Sequence, residues 1–425
     1  MDSLNNEINE PVTQNKGDKK LFIAGILIGV LVMGVVMIIV ILIVTGRKAV
    51  TNVESGPVSP ISDEEFVLDD TTVQKIRQIQ NYIDEHSIYD TDRENLQASM
   101  LDGLLAGTGD KYSDYYTKEE IEAEMTGYSG KFYGIGVMFF KEADTYAVID
   151  EVIPDSPAER AGFKADDNIV KVEGEDIGSL SSEELANIIR GEKGTKVLIT
   201  VYRPSEDRYI DLEPIRDEVV DITVDGKMLD DGIGYIHISR WYDTTAEQFQ
   251  EKYDSLIGEG MSRGLIIDLR SNGGGLVNAA LDVLEICLPE GDVLYIENSK
   301  GERTLYNSYF PDEIDLPIVI LTNSRTASAS EIFTGAMRDR GRAVTIGTRT
   351  YGKGVVQSFY SLIDDSAIKL TTDQYFTPNG TAIDGVGIEP DVEVVFDGEL
   401  YTGEEAIDNQ LEEAVKYLGG KSKLD

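Results

Sequence analysis

The chain of 425 residues carries a formal net charge of −40, from 78 acidic and 38 basic side chains. Its length leaves room for about three domains, and a hydrophobic content of 41% is typical of a globular protein. The acidity excludes nucleic-acid binding, which needs a basic surface, and disfavours docking on anionic lipid. The single cysteine, Cys287, lies in an apolar run, so we expect a buried small hydrophobe rather than a disulfide partner or a nucleophile.

The N-terminal part of the chain contains one long apolar segment. Residues 1–20 are polar and are predicted to be a cytoplasmic tail. Residues 21–45 contain no charged side chain and would extend about 37 Å as a helix, which is enough to cross a bilayer. We interpret them as an uncleaved transmembrane signal anchor, because a cleaved signal peptide has a shorter apolar core and a small-residue cleavage site. Three lysines before the segment against two basic residues after it favour a cytoplasmic N-terminus. Residues 46–69 are predicted to be a linker.

A helical region is predicted at residues 70–129. Apolar residues recur at helical spacing between 70 and 106, and a loop follows at 107–117 with the sequence G-T-G-D-K-Y-S-D-Y-Y-T. The loop tyrosines are interpreted as packing residues rather than ligand contacts; they are Tyr112, Tyr115 and Tyr116.

Residues 130–213 alternate short strands and short helices. The sequence G-I-G-V by itself is typical of a tight turn before a strand, but the elements that follow it resemble a PDZ domain in their order. In that resemblance a loop of consecutive N–H groups binds a terminal carboxylate while the peptide adds as a strand; the loop residues are Gly134, Ile135, Gly136 and Val137. Arg190, after the second helix, is a candidate for coupling peptide binding to a catalytic site, and a solvated helix end is an equally good interpretation.

A turn of small residues at 326–330 separates a buried strand at 318–321 from a helix that begins near Glu331. Ser328 in this turn would lie at the N-terminus of the helix, where free N–H groups and the helix dipole can stabilise an oxyanion. Helix capping is the alternative role for a serine at this place.

A second polar motif follows the apolar strand at 343–346. Lys353 lies between two glycines and is predicted to be a desolvated amine with a lowered pKa, able to act as a general base. Gln357, four residues later, would orient this amine without pairing with its charge. The chain has two histidines, which leaves poor material for a Ser-His-Asp triad or a zinc site, so neither a metal nor a cofactor is predicted.

Together, T-A-S-A-S-E-I and Y-G-K-G-V-V-Q resemble the C-terminal processing (tail-specific) proteases, and the resemblance covers roughly residues 70 to 395. It implies that Ser328 is the nucleophile, Lys353 its base, and Gln357 the residue that holds the lysine. It also implies oxyanion N–H groups from the glycine-rich loop at 269–275, placed at Gly274, and from Ala329.

The expected fold is an α/β protease core at 214–397, crotonase-like with a spiral sheet and helices. Its strands 264–268, 318–321, 343–346 and 355–360 should share one sheet. The core would carry an inserted PDZ domain and the N-terminal helical region, follow one transmembrane helix, and precede an acidic C-terminal tail at 398–425.

The expected function is that of a serine endopeptidase of the cell membrane, a single-pass protein with its catalytic part outside the cytoplasm. It would cleave proteins near accessible C-termini; a homo-oligomer is left open. Two alternatives are an inactive PDZ scaffold, which the intact Ser328, Lys353 and Gln357 argue against, and another Ser-Lys hydrolase such as an esterase.

Overall fold

The computed structural model describes residues 68–142, 145–309, 314–398, 400–401 and 406–423. The predicted cytoplasmic tail and the apolar segment at 21–45 lie outside these residues. Among the residues described, no helix is both long enough and apolar enough to span a membrane.

The predicted N-terminal helical region is confirmed as helical. It contains α1 (Asp70–His86), α2 (Arg93–Ala106), the short strand β1 (Asp114–Tyr116) and α3 (Lys118–Tyr128). Thr117 and Glu120 form a reciprocal capping box that fixes the start of α3. The sequence pattern did not indicate β1, which pairs with a strand of the protease core and so attaches this region to the core.

The next region consists of β2 (Lys131–Gly134), β3 (Val137–Phe140), β4 (Ala147–Val152), α4 (Pro157–Ala161), β5 (Asn168–Val172), β6 (Glu175–Asp176), α5 (Ser182–Ile189), β7 (Ile199–Arg203), β8 (Arg208–Leu212) and β9 (Asp217–Val220). Its main sheet has the order β3-β4-β5-β7-β8. Strands β2 and β9 pair with each other where the chain enters and leaves the region, as expected for an inserted domain. Its core includes Ile149, Ile169 and Leu185, none of which is exposed.

The first sheet of the protease core is built around buried parallel strands. Its elements are β10 (Val224–Met228), β11 (Ile233–Ile238), α6 (Thr245–Gly258), β12 (Gly264–Asp268), α7 (Val277–Cys287), β15 (Ile318–Thr322), α8 (Ala329–Asp339), β16 (Ala343–Gly347) and β19 (Val392–Glu393). The strand order is β10-β11-β12-β15-β16-β19. Every residue of β12 and β15 is buried, which explains their continuous apolar sequences.

A second sheet contains β13 (Gly291–Asn298), β14 (Arg303–Ser308), β17 (Val355–Ser361) and β18 (Ala367–Phe376), together with β1. The prediction that the strand at 355–360 joins the first sheet is therefore wrong. Only residues 348–354 connect β16 to β17, and a parallel neighbour would need a crossover of about a dozen residues or more. The chain instead turns away, and β17 pairs antiparallel with β18.

The C-terminal helix α9 (Asn409–Tyr417) belongs to the core. Ala414, Val415 and Leu418 are buried against the first sheet, where they meet Ile233 and Ile346. The acidic tail predicted at 398–425 therefore contains a helix, and this helix packs on the sheet rather than standing apart from the core.

Candidate active site

Ser328 occupies the turn between β15 and α8, in a conformation that is rare for a residue with a side chain. Its backbone angles are φ 57° and ψ −120°, and a non-glycine residue is held there only when its surroundings impose it. The turn is fixed by neighbouring hydroxyls: Thr326 Oγ1 donates to the Leu269 carbonyl (2.8 Å), and Ser330 Oγ donates to the Asn272 carbonyl (3.2 Å). The helix start is therefore rigid and is attached to the glycine-rich loop.

The loop that contains Lys353 requires glycine on both sides of the lysine for steric reasons. Gly352 has φ 89°, and a Cβ at Gly354 would lie 2.1 Å from the Asp384 nitrogen, so no larger residue fits there. The buried hydroxyl of Tyr375, on β18, contacts the carbonyl of Ser328 at 3.0 Å and also the carbonyl of Lys353. One side chain thus bridges the backbones of the Ser328 turn and the Lys353 loop.

Glu331 also connects the Ser328 turn to the Lys353 loop, a role that the sequence analysis did not predict. Its fully buried carboxylate accepts hydrogen bonds from the N–H groups of Ser328 (2.9 Å), Gly352 (2.7 Å) and Lys353 (2.8 Å), and from the Thr350 hydroxyl. Burial raises the pKa of this carboxyl, while the donated hydrogen bonds oppose the rise. The sequence signal was the acidic residue three positions after Ser328, the spacing of a capping box.

The amine of Lys353 is partly withdrawn from water. Its Nζ lies 4.5 Å from the centroid of the Tyr112 ring, within cation–π distance. Burial lowers the pKa of Lys353; the positive charges of Lys369 and Lys111 lower it further, and Asp110 opposes them. This direction is the one that a lysine base requires, because the neutral amine is the form that accepts a proton.

Gln357 lies close to Lys353 in the sequence, but in the structure its side chain forms a hydrogen bond with a different residue. Its Nε2 donates to Thr371 Oγ1 at 3.2 Å across the β17–β18 ladder. Among the hydrogen bonds of the described residues, none joins Gln357 to Lys353, and none joins Lys353 Nζ to Ser328 Oγ. A register shift between Val356 and Gln357 interrupts the strand's alternation at this point.

The two backbone N–H groups that are predicted to bind the oxyanion differ in whether they already donate a hydrogen bond. Within the described part of the chain, the Ala329 N–H donates no hydrogen bond, so it is free at the helix N-terminus. The Gly274 N–H instead donates to Asn272 Oδ1 at 2.9 Å. Gly274 nevertheless lies directly against Ser328, since a Cβ there would be 2.8 Å from Ser328 Cβ.

An ion-pair network fixes the start of the glycine-rich loop. Arg270 donates to both oxygens of buried Asp268, with Nη2 at 2.6 Å from Oδ2, and its Nη1 donates to Asp408 and Gln410 at 3.0 Å each. Asp408 is the N-cap of α9. The C-terminal helix thus stabilises the loop that lies against Ser328.

The predicted peptide-binding loop has the features that carboxylate binding requires. The carbonyls of Ile135 and Gly136 accept hydrogen bonds from Ala158 (2.7 Å) and Ile153 (3.0 Å), whereas their own N–H groups donate none among the described residues. Gly134 pairs with Asp217 in the β2–β9 ladder. Val137 begins β3, an edge strand of its sheet, which leaves one side open to an added strand.

Arg190 forms the C-cap of α5 and lies close to this loop. Its guanidinium carbon is 5.2 Å from the centroid of the Phe132 ring. Phe132 is on β2, directly before the loop, so the contact places Arg190 at the join between the inserted region and the core.

No group of three or more metal-binding side chains occurs among the described residues. The groups that the site brings together are the Ser328 hydroxyl, the partly buried amine of Lys353 and the N–H of Ala329.

Comparison with known proteins agrees with this arrangement. Residues 232–394 match peptidase family S41, and residues 148–203 match the PDZ domain. Residues 232–394 are therefore similar to a peptidase domain of family S41, and residues 148–203 are similar to a PDZ domain, in agreement with the resemblance that the sequence motifs carry.

Individual proteins are similar to this chain over much of its length. A "Probable CtpA-like serine protease" of Staphylococcus aureus strain N315 is 33% identical over 331 residues, which cover 77% of this chain and 65% of that relative. The chain thus spans just under two thirds of the length of this relative. A candidate S41 protease from Bacteroides fragilis shares the fold, with a TM-score of 0.50 and 18% identity over 84% of this chain and 98% of that one. The photosystem II D1 C-terminal processing protease is 27% identical, with a TM-score of 0.45, over 77% of this chain and 88% of that protein.

Proposed function

We propose that this protein is a membrane-anchored serine endopeptidase that uses a Ser328–Lys353 dyad to cleave proteins near their C-termini. The observation that carries the proposal is the joint attachment of both motifs to Glu331, which accepts the N–H groups of Ser328 (2.9 Å) and Lys353 (2.8 Å) through one carboxylate oxygen. A strained serine and a desolvated lysine brought together in this way are typical of an activated nucleophile and its base.

In the proposed reaction, the neutral amine of Lys353 accepts the proton of Ser328 Oγ as this oxygen attacks the scissile carbonyl carbon. The carbonyl oxygen becomes an oxyanion; Lys353 then donates the proton to the leaving amine, and an acyl-enzyme remains. Water, activated by the same amine, hydrolyses the ester and regenerates the serine. The distance between amine and hydroxyl needs to shorten only in the substrate complex, since catalytic hydrogen bonds are often long in unliganded enzymes.

The Ala329 N–H, at the start of α8, is the proposed first oxyanion donor, with the helix dipole in support. Gly274 is the proposed second donor. Its N–H would break the hydrogen bond to the Asn272 side chain and donate to the substrate oxygen instead. Gln357 is proposed to orient Lys353 through its amide oxygen, because its Nε2 donates to Thr371.

Substrate selection is proposed to rest on the PDZ domain. The unpaired N–H groups of Ile135 and Gly136 suit a terminal carboxylate, and β3 offers the edge for strand addition. Val137 and Phe139 of β3 pack against the buried cluster that contains Leu185 and Ile189, so apolar side chains are available beside β3 to contact the last side chain of a peptide. Because the chain is strongly acidic, short-range hydrogen bonds rather than long-range attraction must bind an anionic terminus.

Membrane anchoring through residues 21–45, with the catalytic part outside the cytoplasm, is proposed from the uncharged length of this segment alone. Protease added to intact cells should then digest residues beyond the segment and leave the N-terminal tail protected. Digestion of the tail instead would reverse the proposed orientation.

Two single variants test the dyad. Ser328→Ala and Lys353→Ala should each abolish cleavage of a peptide with a free apolar C-terminus, and the double variant should be no worse than either, because residues that act as a unit give non-additive losses. Ser324→Ala, four residues earlier and exposed, is the matched control and should retain full activity. Near-normal turnover by either dyad variant would refute the mechanism. Cleavage of esters but not of peptides by the wild type would identify a different hydrolase.

The same peptide in amidated form, or ending in Asp, tests the PDZ assignment. Both should be cut more slowly than the peptide with a free apolar terminus. Equal rates for all three would leave the PDZ domain as a structural spacer.

A further inference from the structure

The loop before β1 reaches the proposed catalytic lysine, although the sequence indicated only packing tyrosines there. Lys353 Nζ lies 4.5 Å from the centroid of the Tyr112 ring, and Lys111 Nζ lies 4.8 Å from the same centroid. The ring is half-buried. A side chain from the N-terminal region thus forms one wall around the Lys353 amine.

Hydrogen bonds hold the backbone of the loop that carries Tyr112 in place. Asp110 accepts hydrogen bonds from the Tyr112 N–H (3.0 Å) and from Ser113 Oγ (2.5 Å), which closes the loop on itself. The Thr371 N–H donates to Ser113 Oγ at 3.4 Å, and β1 continues directly into the ladder with β18. The loop is therefore attached to the strand that also carries Tyr375, whose hydroxyl contacts the carbonyl of Lys353.

We propose that Tyr112 is a positioning residue for the catalytic base: its ring holds the Lys353 amine beside the nucleophile turn and keeps water away from it. The proposal rests on the proposed role of Lys353 as the base. A ring face suits this role because it attracts the amine without an ionised oxygen. A carboxylate in the same place would stabilise the protonated form, which cannot accept the serine proton.

The charges around the amine agree with this role. The titratable groups around Lys353 come from the loop, from β18 and from α8. Asp110, Lys111, Tyr112 and Lys369 lie near its amine, whereas Tyr375 and Glu331 contact its backbone. Burial is the largest influence and lowers the pKa of Lys353. The cation–π attraction of the ring favours the charged form and so opposes the effect of burial.

The test compares Tyr112→Ala with Tyr112→Phe in the full-length protein, solubilised in detergent, by kcat and KM against pH. Removal of the ring hydrates the amine and raises its pKa, so the rise of kcat should move to higher pH. At a pH below the pKa, a tenfold weaker acid leaves about one tenth of the neutral amine, and we expect kcat at neutral pH to fall roughly tenfold with little change in KM. Tyr112→Phe retains the ring and should restore both the rate and the profile.

Tyr115→Ala is the matched control, a half-buried tyrosine on the adjoining strand β1 whose N–H bond to Asp102 survives the substitution. It should leave the pH profile unchanged. If Tyr112→Ala does not fold, Tyr112→Gln replaces it: the amide fills much of the space but is polar, and the same alkaline displacement of the profile is expected.

The outcomes separate the two proposals. An active Lys353→Ala variant would overturn the dyad itself. An inactive Lys353→Ala variant beside a Tyr112→Ala, or Tyr112→Gln, variant with an unchanged profile would overturn only the role of the ring. If Tyr112→Phe shows the same loss of activity as Tyr112→Ala, the effect belongs to the hydroxyl, and the proposed role of the ring would also be overturned.

Discussion

Replacement of Glu331 by glutamine tests whether one carboxylate holds the nucleophile turn and the lysine loop together. One oxygen accepts the Gly352 N–H and the Thr350 hydroxyl, and the other accepts the N–H groups of Ser328 and Lys353. An amide keeps only one accepting oxygen, so its NH₂ group must face one of these pairs. The Thr350 hydroxyl, which also accepts the Ile388 N–H at 2.7 Å, can rotate to accept from the NH₂, whereas an N–H cannot. The less costly arrangement therefore leaves the Gly352 N–H unpaired and takes the Thr350 proton away from its acceptor.

The Gly352 hydrogen bond is buried, and one unpaired buried N–H costs about 1–3 kcal/mol, to which the weaker bonds at the remaining neutral oxygen add. Relief of the carboxylate's own desolvation, seen in the raised pKa of Glu331, offsets part of this cost. We expect Glu331→Gln to lower the free energy of unfolding by roughly 1–3 kcal/mol. Displacement of the dyad backbone should lower kcat by roughly 10- to 100-fold.

Urea unfolding followed by circular dichroism, with peptide cleavage on the same samples, measures both effects. Glu184→Gln is the matched control, because Glu184 accepts the Ser181 N–H at 2.7 Å in a capping box of the same spacing, but on the exposed surface. It should change neither quantity beyond error. A Glu331→Gln variant with wild-type stability and wild-type kcat would refute the reasoning that this carboxylate organises the site.

Three further predictions concern other parts of the molecule. Because burial lowers the pKa of Lys353 from its ordinary 10.5, the unfolded chain binds more protons than the folded one between the lowered pKa and 10.5. Wild-type stability should therefore rise with pH in that window relative to Lys353→Met, and parallel urea-midpoint curves would contradict this. Gly136→Ala should destabilise the PDZ domain by roughly 1–3 kcal/mol and weaken binding of free-carboxylate peptides, because φ is 82° and the Cβ would lie 2.4 Å from that of Ser156; unchanged melting and affinity would contradict it. Asp408→Asn removes the negative charge that pairs with Arg270 at the start of the glycine-rich loop, so kcat should fall several-fold with KM unchanged. An unchanged kcat would show that α9 does not support catalysis.

Much of the catalytic arrangement was determined by local sequence. A continuous apolar run such as Ile318–Thr322 fits a strand buried on both faces, and a turn of small residues after it fits a helix start. The glycines on either side of Lys353 are required by a positive φ and by a Cβ clash, both local to the backbone. These features involve neighbours in the chain, so their pattern can be recognised without knowledge of distant contacts.

The tertiary structure decided which distant groups meet. The placement of β17 in the second sheet followed from the short connection after β16 and from the antiparallel partner that β18 offers. Hydrophobic periodicity records only that a strand is buried and not which strand lies beside it, so the sequence pattern suggested the wrong sheet.

The surroundings of the lysine depended on such distant contacts too. Tyr112 and Asp408 lie near opposite ends of the described chain, yet one contacts Lys353 and the other contacts Arg270. Their own neighbourhoods in the sequence are an ordinary polar loop and an ordinary N-cap, which are compatible with many partners. Only the packing of β1 on β18, and of α9 on the first sheet, brings the Tyr112 ring and the Asp408 carboxylate to the site. Glu331 is the intermediate case: its spacing from Ser328 is encoded locally, but its bonds to the lysine loop exist because the tertiary structure brings that loop back onto the helix.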